Sequence, residues 1–135
     1  YNVGEHRHSP EIEKLIFKES GKKINLIMVP HLLSIKRGIM SNIYISSKKP
    51  FNQQQILKSY NDYFSGSDFV KVLQAGLPKI SAVQNTNICQ IGIKVLPQDK
   101  TLLISSVIDN LTKGASGQAV QNMNLLFNLE EDLGL

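Results

Sequence analysis

The stretch from Asn87 to Ile108 constrains this chain most. Two apolar runs, 87–96 and 101–108, flank the tetrapeptide Pro97-Gln98-Asp99-Lys100. A polar, proline-led segment between apolar runs is a turn, so the pair reads as a β-hairpin. Hairpin strands are antiparallel, which excludes a wholly parallel sheet. The remaining elements are read around it. Ser9 caps a helix, Pro10 takes its first position and Glu11 complements the dipole. Ile12, Leu15 and Ile16 share one face of that helix, and Gly21 ends it. A strand is predicted over 23–29, stopped by Pro30, then a loop over 31–38 and a strand over 39–46. Pro50 breaks the chain, and Asn52 caps a helix over 53–63 with Ile56, Leu57 and Tyr60 inward. A strand follows at 69–73, between Gly66 and Gly76-Leu77-Pro78. Residues 113–117 open a last helix over 118–127, whose polar Gln121-Asn122-Met123-Asn124 is expected to face solvent or another chain. Five strands and three helices predict an α+β fold, a mixed, largely antiparallel sheet with helices on one face. Three helices leave the other face bare, and a second subunit is the expected cover, making the chain a homo-oligomer.

Composition narrows the class. The 135 residues are 41% hydrophobic and 19% charged, which suits one globular domain spanning 1–135. No apolar run approaches the roughly 20 residues that cross a bilayer, so no membrane partner is expected. The first ten residues are polar and do not read as a signal peptide. The chain opens on Tyr1 rather than Met, and reads as beginning inside something larger. The single cysteine, Cys89, cannot form an internal disulfide, which points to a reducing, cytoplasmic setting. It lies in the apolar run Ile88–Ile93 and is expected to be buried and inert. The net charge of +4 is spread over short pairs, Lys22-Lys23 and Lys48-Lys49. A nucleic-acid surface calls for a denser stripe with interleaved aromatics, so none is expected. A weak positive field also suits an anionic, phosphorylated small molecule.

Three stretches carry chemistry. His6-Arg7-His8-Ser9-Pro10-Glu11 places two imidazoles and a guanidinium at a helix start. Either histidine can serve as acid or base, Glu11 can orient a ring by accepting its N–H, and Arg7 can grip a carboxylate or phosphate. The same residues also read as a solvated, tag-like turn, or with His31 as a metal or anion binder. His31 to Gly38 is a basic loop holding Lys36 and Arg37, either lining a site or joining two strands. Asp109 to Gln118 sets Gly114 and Gly117 at a helix mouth. Small residues there admit a ligand to the backbone, or serve close helix–sheet packing. The spacing of a phosphate-cradling P-loop is not met, and no Rossmann fingerprint, redox cysteine pair or nucleophile elbow occurs.

Taken together, three runs resemble one family. They are His6-Arg7-His8-Ser9-Pro10-Glu11-Ile12, then Pro30-His31-Leu32-Leu33 with Arg37-Gly38-Ile39, then Asp109-Asn110-Leu111 with Lys113-Gly114-Ala115 and Gly117 through Asn124. In this order they look like N-acetyl-gamma-glutamyl-phosphate reductase, related to aspartate-semialdehyde and glyceraldehyde-3-phosphate dehydrogenases. The resemblance covers essentially the whole chain. It implies the fold of the C-terminal domain of glyceraldehyde-3-phosphate dehydrogenase and an NADPH-dependent reduction of an acyl phosphate to an aldehyde in arginine biosynthesis, with release of phosphate. A cysteine forms a thioester and a histidine is acid/base. The resemblance assigns the acid/base to His8, with His6 as second candidate and Glu11 as orienter. It assigns substrate contacts to Arg7 and Arg37, and nicotinamide-side contacts to Asn110, Gly114 and Gly117. The family nucleophile belongs to an upstream Pro-Gly-Cys motif that has no match here, and most of the NADP belongs to a Rossmann domain also unmatched. The fragment alone is therefore expected to be inactive. A non-catalytic oligomerisation module of the same fold is the alternative. Departures fall at Asn85, where the family commonly has Gly, and at Ser34-Ile35-Lys36.

Overall fold

Residues 1–97 and 100–135 are described by the computed structural model. The turn residues Gln98 and Asp99 lie outside the described residues. The chain divides into two units, Tyr1–Ile35 and Lys36–Leu135.

The larger unit is built on a hydrogen-bonded sheet. Its strands are β1 (Ile39–Ser46), β2 (Val70–Val72), β3 (Cys89–Val95) and β4 (Thr101–Ile108), in the order β1-β4-β3-β2. β3 and β4 pair antiparallel, with Ile93 opposite Ile104, as the hairpin pattern requires. β1 pairs antiparallel with the far side of β4, and β2 runs parallel to β3. The sheet is thus mixed and largely antiparallel. Alternation puts Ile91, Ile93, Leu102 and Ile104 on one face, where they form the buried core. Burying each stabilises by about 1.5–3 kcal/mol. Helix α2 (Gln53–Phe64) covers that face through Ile56, Leu57, Tyr60 and Phe64. Asn52 caps it, its side chain accepting the Gln55 N–H at 3.0 Å. Helix α3 (Gly117–Leu126) packs chiefly on a π-helical turn, Thr112–Ser116, that follows β4. On the opposite sheet face Gly92 is overlaid by Gly76, Leu77 and Pro78, where a Cβ would come within 3.0 Å of their atoms. β1 is a sheet edge, and all eight of its residues are exposed, Tyr44 at 63%.

The smaller unit holds helix α1 (His8–Ser20). Gly21 ends it at φ 69°, its N–H reaching Phe17 O at 2.8 Å. Two expectations are corrected. Ser9 is not the cap: the helix opens at His8, with Arg7 at the boundary and no side-chain cap. Pro10 still fits because the first turn's N–H groups lack helical acceptors. The segment 23–29 forms no strand. Its backbone bonds go to single partners instead, Leu26 N–H to Glu13 Oε1 at 2.8 Å and Met28 O from Gly4 N–H at 3.0 Å. An apolar run without a neighbouring strand gains no ladder, and Ile24, Ile27 and Val29 stay exposed.

Candidate functional site

In the larger unit the end of β4 gathers a polar cluster. Asp109 is fully buried. Its Oδ1 accepts the Leu111 and Thr112 N–H groups at 2.8 and 3.0 Å. Its Oδ2 accepts the Asn85 N–H at 2.7 Å and stands 3.0 Å from Arg37 Nε. Burial pushes this carboxyl up, but the three backbone N–H groups and the Arg37 guanidinium outweigh it and hold it below the ordinary value. Arg37 also donates to Asn85 Oδ1, and to Thr112 Oγ1 at 3.1 Å. Asn110 Oδ1 accepts the Gly38 N–H at 2.6 Å. The structure therefore brings Arg37, Asn110 and Gly114 to one end of the sheet, since Gly114 N–H bonds Asp109 O at 2.9 Å.

Sequence reasoning missed Asp109 as a member of this cluster. Its signal was a lone carboxylate closing an apolar strand ahead of a helix mouth, a position that accepts turn N–H groups. Asn85 stands where the resemblance leads to an expectation of glycine. It sits at φ 62°, the left-handed region where Gly is at ease and Asn is the next choice. Here the amide side chain additionally binds Arg37.

Gly117 is buried, and a Cβ there would overlap Asn87 Oδ1 and come 3.0 Å from Thr112 O. Its missing side chain serves packing within the unit rather than the approach of a ligand. Gly114 is exposed. Gln121 and Asn124 do not face solvent: they are 8% and 0% exposed. Gln121 accepts from Asn87 Nδ2 at 3.0 Å and from Lys113 Nζ at 2.6 Å, and donates to Glu131 at 2.5 Å. Asn124 donates to the carbonyls of Glu131 and Leu133, tying down the C-terminal segment. Lys113 Nζ lies 5.2 Å from the Phe69 ring centroid. Burial lowers its pKa, against the raising pull of Cys89 and Glu131. Cys89 is half-buried rather than buried, and burial pushes its thiol up despite Lys113.

The remaining candidates lie in the smaller unit. The His6 and His8 rings stand edge-on, 4.9 Å between centroids, and His6 Nδ1 accepts the His8 N–H at 3.3 Å. Tyr1 meets His6 edge-on at 5.9 Å. Arg7 and Glu11 are exposed. His31 Nδ1 lies 3.0 Å from Val29 O. Among the described residues, no three His, Cys, Asp or Glu side chains gather as a metal site. A cavity of about 250 Å³ lined by Asn61, Phe64, Ser65, Lys71 and Val72 holds none of the candidate residues. Among the described residues no helix is long and apolar enough to cross a membrane.

Residues 1–110 match the model of the semialdehyde dehydrogenase dimerisation domain. Over its whole length the chain is 47% identical to the N-acetyl-gamma-glutamyl-phosphate reductase of Pelotomaculum thermopropionicum, covering 39% of it. The reductase of the same name from Thermoanaerobacter pseudethanolicus is 44% identical, with 40% of it covered. The chain thus spans about two-fifths of the curated relatives it matches. A solved aspartate semialdehyde dehydrogenase II from Vibrio cholerae superposes with a TM-score of 0.52 at 20% identity, over 68% of this chain and 28% of that one. That likeness speaks for the α+β fold alone. A family match over most of the chain, on a sheet of the expected mixed topology, makes this chain a member of the semialdehyde dehydrogenase dimerisation-domain family.

Proposed function

We propose that this chain is the C-terminal part of an NADPH-dependent N-acetyl-gamma-glutamyl-phosphate reductase of the cytoplasm. The observation that carries it is identity of 47% over the whole chain to a reductase of that name. The whole enzyme converts the acyl phosphate to N-acetylglutamate 5-semialdehyde and phosphate, in arginine biosynthesis. The nucleophilic cysteine and most of the cofactor site belong to sequence outside these 135 residues.

Within the chain, His8 moves the proton of the acyl-transfer step, with His6 as the other candidate and Glu11 as its orienter. Arg7 and Arg37 hold substrate anions. Arg37 suits this because a guanidinium has five N–H groups and its side chain remains one-third exposed. The cofactor supplies hydride when bound. The residues here fit it at one point: Asn110 spends its carbonyl on Gly38, which leaves its amide nitrogen to donate toward a nicotinamide carboxamide. Gly114 is open enough for a close approach, and Gly117 is not. The family description as a dimerisation domain supports a homo-oligomer, with exposed β1 in its interface.

The test is the protein expressed from its complete reading frame. Phosphate-dependent NADP reduction with N-acetylglutamate semialdehyde is expected, and His8→Ala should lower kcat by roughly 10²–10⁴-fold. Activity that survives in His8→Ala moves the proton to His6. A folded, NADP-binding oligomer without activity favours the non-catalytic module, which the family description also accommodates.

A further inference from the structure

The backbone entering β1 is fastened at two consecutive residues. Arg37 O accepts from Gln84 Nε2 at 3.2 Å, and Gly38 N–H donates to Asn110 at 2.6 Å. The Arg37 side chain is held separately. Nη1 donates to Asn85, Nη2 to Thr112, and Nε faces Asp109 with its N–H off the direct line, more ion pair than hydrogen bond. One N–H on each terminal nitrogen remains. Asp109 is different: three backbone N–H groups and Arg37 occupy both oxygens, and the carboxylate is fully buried. It has no capacity left for a ligand. Its influence on bound substrate passes through the groups it holds, and of these Arg37 is the one with N–H groups left for an anion.

We propose that Asp109 is the positioning residue of an oxyanion grip. It fixes Arg37 so that the two remaining terminal N–H groups form a preset fork for a phosphoryl or carboxylate group. A long arginine free to rotate loses side-chain entropy on each binding event, and a clamped one has lost it already. Asn85 and Thr112 are the lateral supports. This rests on the reading that Arg37 contacts substrate.

The test compares wild type, Arg37→Lys, Asp109→Asn and Asn85→Gly in the protein expressed from its complete reading frame. Separate KM values are measured for phosphate and for the semialdehyde in the direction of NADP reduction. Asp109→Asn should raise, by roughly tenfold, the same KM that Arg37→Lys raises, with kcat changed far less. A rise for phosphate assigns the fork to the phosphoryl group, and a rise for the semialdehyde to its carboxylate. Asn85→Gly, tolerated by a left-handed backbone, should shift that KM in the same sense but less, and it serves if Asp109→Asn does not fold. Equal effects on kcat and both KM values, or an Arg37-sensitive KM unmoved by the folded variants at 85 and 109, would overturn the proposal. Should wild type show no turnover, the functional reading fails by itself, and calorimetric titration with inorganic phosphate and with N-acetylglutamate decides this one. Anion binding weakened by Asp109→Asn supports it, and binding that is unaffected or absent sinks it.

Discussion

Asp109 concentrates more polar contacts than its neighbours and should dominate the acid response. Its carboxyl is held below the ordinary value in the folded chain. Its stabilising contribution is therefore complete above the unfolded carboxylate range and is lost as pH falls through the lowered value. Urea midpoints measured from neutral to acid pH should drop for wild type, and Asp109→Asn should flatten part of that drop. Gly117→Ala forces a methyl against Asn87 and should cost about 1–3 kcal/mol by thermal denaturation. Cys89, with its thiol pushed up, should alkylate several-fold more slowly than free glutathione at mildly alkaline pH. An equal rate would show the thiol to be exposed and unperturbed.

Elements differ in how far local sequence determines them. The hairpin strands were legible because two apolar runs flank a polar, proline-led segment, and α2 because Asn52 and the inward trio Ile56, Leu57 and Tyr60 agree. Asn52→Ala should cost about 1 kcal/mol in urea denaturation. The 23–29 run has the same apolar look yet forms no ladder, since periodicity reports a propensity and a strand needs a neighbour. The helix at His8 illustrates a second limit. Ser-Pro-Glu is a proper start signal, but a helix can begin two residues earlier when proline's missing N–H falls anywhere in the first turn. At the site, Arg37 and Asn110 could be picked out by residue type and resemblance. Asp109, Asn85 and Thr112 could not, because their partnership depends on three loops converging across 24 and 75 residues of chain.

At the scale of the whole molecule, β1 pairs on one side only, and both of its faces are exposed along its length. An uncovered apolar edge is a poor end state in water. Sedimentation velocity of the complete protein should show an oligomer, and Tyr44→Glu should shift it toward monomer without loss of helix content by circular dichroism. A monomeric wild type at micromolar concentration would remove β1 from any interface. The fastening of Arg37 and Gly38 has a mechanical corollary. Tension arriving along the chain from residues before Lys36 meets the Asp109 and Asn110 anchors first, so it enters the sheet at the end of β4. The β1–β4 ladder is then spared from peeling at Ile39, and a pulling experiment should record the ionic clamp yielding as a separate event before the strands part.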